Sequence, residues 1–234
     1  MFSEEPVVHI GIIEKSGGNI QWNGINVSAG KLSENWNREA GEQVSLYTYT
    51  NGDEVELFLN GKSLGVKKNS NDPKLRARIK WDNIAYAPGT LVAEAKKNGK
   101  VVARHQIETT GEAVALKLVP DMETWHADGK DLMHVRIYAV DKKGRRVLNV
   151  KDAKAFDKLT FQVKGDANIV AVDNGNITSD ELHIGKTQLE KTIQRNLFQG
   201  SALVILRAGN KPGKIELSVV GDKMKAKKLV LNTK

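Results

Sequence analysis

The chain of 234 residues contains no cysteine. No disulfide can staple it and no thiolate is available as a nucleophile or metal ligand. Cysteine absence leaves the compartment open, because a secreted domain of this size folds without disulfides. Aromatic residues make up only 6% of the chain and proline is scarce, at 5 residues. Long apolar runs are missing too. No stretch approaches the roughly 20 residues needed to cross a bilayer. Met1-Phe2-Ser3-Glu4-Glu5-Pro6 has neither the basic n-region nor the apolar h-region of a signal peptide. A strand-like run from Val7 to Ile13 follows almost at once, so Met1 is expected to be an expression start on a piece of something longer. Long, capped helical periods are also absent, although Asp152 to Lys158 is compatible with one short helical turn.

Cations are in excess, with 36 Lys and Arg against 28 Asp and Glu, a formal charge of +8. Such a balance raises nucleic acid or an anionic surface as a partner. The placement argues otherwise. The lysines scatter over turns and strand faces, as in Asn98-Gly99-Lys100 and Asp141-Lys142-Lys143-Gly144. The densest run, Lys223 to Lys228, is broken by Met224 and Ala226. A solvated surface is expected, with no nucleic-acid and no membrane partner.

Period-2 alternation dominates what remains. Leu75, Ala77, Ile79 and Trp81 fall on one face of a run whose other face carries Arg76, Arg78 and Lys80, which predicts a half-buried strand. Val55, Leu57 and Leu59 alternate in the same way, as do Ile215, Leu217 and Val219. Near Val135 both faces carry bulk, Met133-Val135-Ile137 against Leu132-Tyr138-Val140, which predicts a more central strand. Asn51-Gly52, Asn60-Gly61 and Asn98-Gly99 sit between strand-like runs, and Asn-Gly suits a type I′ hairpin turn because both central residues need φ > 0. One sandwich takes roughly 100 residues, so the length suits two. The expected fold class is all-β, two tandem immunoglobulin-like β-sandwich domains. The boundary is expected near Thr109-Thr110-Gly111-Glu112. That gives residues 1–110, a sandwich with an N-terminal extension, and residues 111–234, a second sandwich.

Certain phrases carry a resemblance. They are Tyr49-Thr50-Asn51-Gly52-Asp53-Glu54-Val55-Glu56-Leu57-Phe58-Leu59-Asn60-Gly61-Lys62-Ser63-Leu64-Gly65, then Ala87-Pro88-Gly89-Thr90-Leu91-Val92-Ala93, then Glu108-Thr109-Thr110-Gly111. Further on come Leu118-Val119-Pro120-Asp121, Ala127-Asp128-Gly129-Lys130-Asp131-Leu132 and Val172-Asp173-Asn174-Gly175-Asn176. In order and spacing they resemble the C-terminal region of bacterial family 2 glycoside hydrolases, particularly β-galactosidase-like enzymes. The resemblance covers about residues 30 to 220. It implies a non-catalytic accessory segment whose partner is the catalytic domain of a parent enzyme, and a periplasmic or extracellular location. The family's two catalytic glutamates sit on a (β/α)8 barrel, which a chain without βα alternation cannot build. No catalytic residue is therefore carried over. The segment Ile10 to Ser33 and the stretch His183 to Asn196 depart from the family pattern.

Local chemistry adds little. Gly61-Lys62-Ser63-Leu64-Gly65 fits G-x-S-x-G, but a nucleophile elbow needs a strand, a sharp turn and a helix, and here a hairpin precedes and nothing helical follows. The acids Asp53, Glu54 and Glu56 fall at a hairpin, where solvated charge is the default. The five histidines, His9, His105, His126, His134 and His183, show no metal-ligand spacing. His126, Asp128 and Asp121 are close enough in sequence to share a loop, but an ordinary surface loop is expected there. Asp173-Asn174-Gly175-Asn176 offers oxygen ligands for Ca²⁺ but lacks the terminal glutamate of an EF-hand, so an Asx-type turn is expected. No metal and no cofactor are expected. Carbohydrate is the remaining candidate ligand. Trp81, on the apolar face of its strand, is expected in the core. Trp22, in Gly18-Asn19-Ile20-Gln21-Trp22-Asn23-Gly24, and Trp36, in Asn35-Trp36-Asn37, have polar neighbours and are the candidate carbohydrate-binding residues. The alternatives to an accessory segment are an independent carbohydrate-binding module and a bacterial Ig-like adhesin repeat.

Overall fold

The computed structural model describes residues 4–14, 19–22, 25–28, 32–148, 158–177, 179–185, 187, 189–221 and 224–234, with backbone alone for 19–22 and 25–28. No helix occurs among them. Two compact units meet in sequence between Thr109 and Thr110, and each is an antiparallel β-sandwich.

The first unit contains β1 (Val8–Ile13), β2 (Asn19–Trp22), β3 (Ile25–Ser28), β4 (Leu32–Ser33), β5 (Gln43–Thr50), β6 (Glu54–Leu59), β7 (Lys62–Lys68), β8 (Arg78–Ala85), β9 (Thr90–Lys97) and β10 (Lys100–Glu108). One sheet runs β4-β1-β5-β8 and the facing sheet β10-β9-β6-β7, while β2 and β3 form a separate hairpin. Alternation explains the layering. Every second residue of β5, from Val44 to Thr50, is buried. Ile10, Ile12, Leu46 and Trp81 from one sheet meet Val55, Leu57, Leu91 and Ala93 from the other. Each large side chain buried this way contributes about 1.5–3 kcal/mol.

Two of the three Asn-Gly turns are type I′ hairpins. Asn60 and Gly61 have φ of 52° and 79°, and Asn98 and Gly99 have 51° and 75°. Asn51-Gly52 is not a hairpin. It joins β5 to β6, which belong to opposite sheets, and neither residue takes a positive φ. The Thr50 hydroxyl accepts the Gly52 amide at 2.9 Å and holds this crossover. The run from Leu75 to Trp81 is likewise only half a strand. The amides of Leu75 and Arg76 both donate to the Asp72 carbonyl, which winds 72–77 into turns. Ala77 has φ of 65° and Leu75 is 48% exposed. The ladder starts at Arg78, so only Ile79 and Trp81 of the expected apolar face are buried.

The second unit contains β11 (Ala115–Pro120), β12 (Leu132–Val140), β13 (Lys158–Lys164), β14 (Ala167–Asp173), β15 (Thr192–Asn196), β16 (Ser201–Ala208), β17 (Gly213–Gly221) and β18 (Lys227–Thr233). Its sheets run β11-β12-β16-β14 and β15-β13-β17-β18. β12 lies between two neighbours, and its core face is Met133, Val135 and Ile137. Leu132 on the opposite face is exposed. Ile215, Leu217 and Val219 are buried beside Trp125 and Phe161. Of the suggested helical turn at Asp152 to Lys158, residues 152–157 lie outside the described residues, and Lys158 opens β13. The connection from β15 to β16 is a tight turn at Gln199-Gly200, with φ of 48° and 66°. Phe198 and Ser201 exchange both backbone hydrogen bonds across it at 3.0 Å.

Candidate functional site

The tryptophans are placed as follows. Trp22 lies on β2 opposite Ile25, and its side chain lies outside the described residues. Trp36 is 1% exposed, with its ring edge-on to Tyr86 at 5.2 Å. It lies inside the core and offers no ring face to a sugar, contrary to the expectation of a carbohydrate-binding role. Its polar neighbours mislead because their side chains serve the local backbone. The Asn35 side-chain oxygen accepts the Asn37 amide at 3.1 Å, and the Ser33 hydroxyl accepts the Asn35 amide at 3.2 Å. Trp81 is buried, and its Nε1 donates to the Thr48 hydroxyl at 3.0 Å. Trp125 is fully buried, and its Nε1 donates to the Asp131 carbonyl at 3.1 Å.

The G-x-S-x-G segment is the β6–β7 hairpin. The Ser63 hydroxyl donates to Glu56 at 2.7 Å, and Lys96 donates to the other Glu56 oxygen at 2.6 Å. Lys96, then Ser63, hold the Glu56 carboxyl below its usual range. Asp53 is equally committed, accepting the Asn98 amide at 2.8 Å. These acids anchor a hairpin and its neighbouring turn.

The Asp173–Asn176 segment is an Asx-type turn. Asp173 Oδ1 accepts the amides of Asn174 and Gly175 at 2.6 and 3.1 Å. Asn174 Oδ1 accepts the Asn176 amide at 2.9 Å and a guanidinium N–H of Arg195 at 3.2 Å. Arg195 is fully buried and also donates to the Glu181 carbonyl at 2.6 Å. Burial acts to raise the Asp173 carboxyl, but the Gly175 and Asn174 amides, His183 and Arg195 outweigh it and hold it below its usual range. His126, Asp128 and Asp121 have separate partners. His126 pairs with Asp131 at 3.1 Å, and Asp121 pairs with His134 at 3.0 Å. Asp128 instead accepts the Lys130 and Asp131 amides.

Another constellation was invisible in sequence spacing. His9 on β1, Glu34 just after β4 and His105 on β10 bring one ligand atom each to within 4.8 Å of one another. Glu34 Oε1 is 3.5 Å from His9 Nε2 and 3.8 Å from His105 Nε2. A two-histidine, one-carboxylate set suits zinc and similar ions by composition. The hydrogen bonding decides otherwise. The Ile10 amide donates to His105 Nδ1 at 3.1 Å. The neutral ring must then carry its proton on Nε2, the atom that faces Glu34. A metal-bound histidine has the opposite arrangement, with its second nitrogen donating. Burial, then His9, push the His105 pKa down, against Glu34. In this geometry the three residues form an electrostatic cluster, with the His9 and His105 rings 4.5 Å apart and Glu34 beside both.

Comparison with known proteins adds the following. Residues 116–230 match the family described as Glycoside hydrolase family 2 C-terminal domain 5. Residues 41–103 match a domain of unknown function, DUF4982. A β-galactosidase from Bacteroides ovatus is 36% identical over 192 residues, covering 82% of the chain and 21% of that protein. A β-glucuronidase from Formosa agariphila is 33% identical over 134 residues, covering 56% of the chain and 13% of that protein. The chain thus spans about a fifth or less of the length of these relatives. The crystal structure of a glycosyl hydrolase family 2 member from Bacteroides cellulosilyticus is 27% identical with a TM-score of 0.82, covering 100% of the chain and 29% of that structure. A β-glycosidase structure from Bacteroides vulgatus is 25% identical with a TM-score of 0.77, covering 99% of the chain and 25% of that structure.

Proposed function

We propose that this chain, whose residues 116–230 match a C-terminal domain of glycoside hydrolase family 2, serves a parent enzyme as a non-catalytic accessory segment, packing against the catalytic domain or shaping access to it. The observation that carries this reading is the match of residues 116–230 to a family 2 C-terminal domain. The physical support is that a retaining glycosidase needs two carboxylates about 5–5.5 Å apart on a scaffold that also grips the sugar. Here the acids that looked most available, Asp53, Glu56 and Asp173, are bound to neighbouring amides, hydroxyls and cations. The relatives are named as β-galactosidase and β-glucuronidase, so the parent's substrate is a β-galactoside or a β-glucuronide. A periplasmic or extracellular location goes with this reading.

The test has two arms. The purified chain is assayed with aryl β-galactosides and aryl β-glucuronides, and no turnover is expected; turnover that survives repurification would sink the non-catalytic role. The parent enzyme is then compared with and without this region. A fall in thermal stability or a change in KM, with the bond-cleaving carboxylates intact, is expected. Unchanged stability, KM and kcat would refute a packing or access-shaping role.

A further inference from the structure

The outer face of the β11-β12-β16-β14 sheet carries a groove of about 320 Å³, at the small end of ligand sites, which run from about 300 to 1,000 Å³. Strand register builds it. Arg136 on β12 lies opposite Leu203 on β16, and Leu203 lies opposite Asp173 on β14. One row along, Tyr138 lies opposite Ser201. Arg146, just beyond β12, completes the cationic wall, and the Asp173–Gly175 turn forms the other.

The two arginines are held differently. The Arg146 guanidinium lies over the Tyr138 ring, 4.8 Å from its centroid, and donates to the Ser201 hydroxyl at 3.3 Å. The Arg136 side chain makes no hydrogen bond or ion pair among the described residues. Its planar fork of donors suits bidentate binding of a carboxylate or sulfate. The far wall is pre-built. The buried Arg195 fixes Asn174, and the Asn174 and Gly175 amides fix Asp173. The ionised Asp173 repels a bare anion but accepts from hydroxyls. A ligand satisfying both walls therefore carries a negative group at one end and hydroxyls at the other.

We propose that this groove binds an anionic saccharide: one sugar ring whose carboxylate or sulfate pairs with Arg136 and Arg146, and whose hydroxyls donate to Asp173. Tyr138 positions Arg146 through its ring face. The inference stands on the groove alone and does not depend on the parent's substrate.

Isothermal titration of the full chain tests it. The probes are methyl β-glucuronide, a 6-sulfated methyl β-galactoside, neutral methyl β-galactoside, and sodium acetate and sulfate. At least one acidic glycoside is expected to bind about tenfold or more tightly than the neutral one and than either simple anion. Arg136→Gln is expected to weaken that binding by about tenfold with the melting temperature unchanged. The proposal is overturned if neither acidic glycoside binds, if the neutral glycoside or the free anions bind equally well, or if Arg136→Gln leaves affinity unaltered.

Discussion

Replacing Gly200 with alanine separates backbone strain from steric exclusion, because Gly144 in the same unit supplies a matched control. Both glycines take positive φ, 66° and 77°. A Cβ on Gly144 would meet nothing within 4 Å, whereas one on Gly200 would sit 1.8 Å from the Val147 carbonyl oxygen. Gly144→Ala therefore bears only the left-handed penalty of about 1–2 kcal/mol. Part of that is offset by the roughly 0.4–1 kcal/mol that alanine gains by restricting the unfolded chain. A net loss of about 1 kcal/mol is expected. Gly200→Ala must also move a carbonyl or the turn by about 1.6 Å to reach ordinary contact. That motion strains the Ala139 amide bond to the Gly200 carbonyl, at 2.8 Å, and the Phe198–Ser201 pair. Each buried group left unpaired costs about 1–3 kcal/mol, so a total of about 3–5 kcal/mol is expected. For a unit of this size that lowers Tm on the order of 12–20 °C. Calorimetry gives the melting temperature, and amide exchange along β12 and β16 reports the second unit alone. If Gly200→Ala melts within about 1 kcal/mol of Gly144→Ala, the exclusion argument fails.

Two further outcomes follow from buried polar groups in the first unit. Trp81→Phe strands the buried Thr48 hydroxyl and is expected to destabilise by about 1–3 kcal/mol; Thr48→Val added to it should recover part of the loss in urea unfolding, and no recovery would mean the bond is not the cause. Because the His105 pKa is lowered on folding, the unfolded chain takes up a proton first, so stability should fall as pH drops below about 6.5 and level off beneath the lowered folded value. His105→Gln should flatten that fall in urea midpoints taken from about pH 8 to about pH 5, and an identical slope in the variant would exclude His105 as the source.

The layering of both units was legible in sequence because alternation is a local property. Ile215, Leu217 and Val219 need only the pleat to share a face, and Asn98-Gly99 needs only its own backbone to form a hairpin. What a strand does next is not local. Asn51-Gly52 has the same two residues as the true hairpins, yet β6 joins the opposite sheet, so the turn becomes a crossover held by Thr50. Leu75 and Ala77 keep the phase of Ile79 and Trp81. A turn closed on the Asp72 carbonyl removes them from the ladder, and nothing in the apolar pattern reports that bond. Trp36 failed as a ligand for a related reason. Asparagine beside tryptophan reads as a sugar-facing patch only while the asparagine side chain is free, and Asn35 is spent on the Asn37 amide.

The His9–Glu34–His105 cluster shows the same limit at longer range. β4 pairs with β1 only at Ile12 and Ile13. Past that point the edge of β1 leaves the Ile10 amide without a ladder partner, and a buried amide must find an acceptor. His105, on the edge strand of the facing sheet, supplies it. That single bond assigns the ring's proton to Nε2, the nitrogen that lies 3.8 Å from Glu34 Oε1. The histidine closes a sheet edge in the manner of other devices that blunt exposed strands. The cluster's composition suggests a metal site, but the His105 nitrogen that a metal-bound ring would use as a donor is here an acceptor for the Ile10 amide.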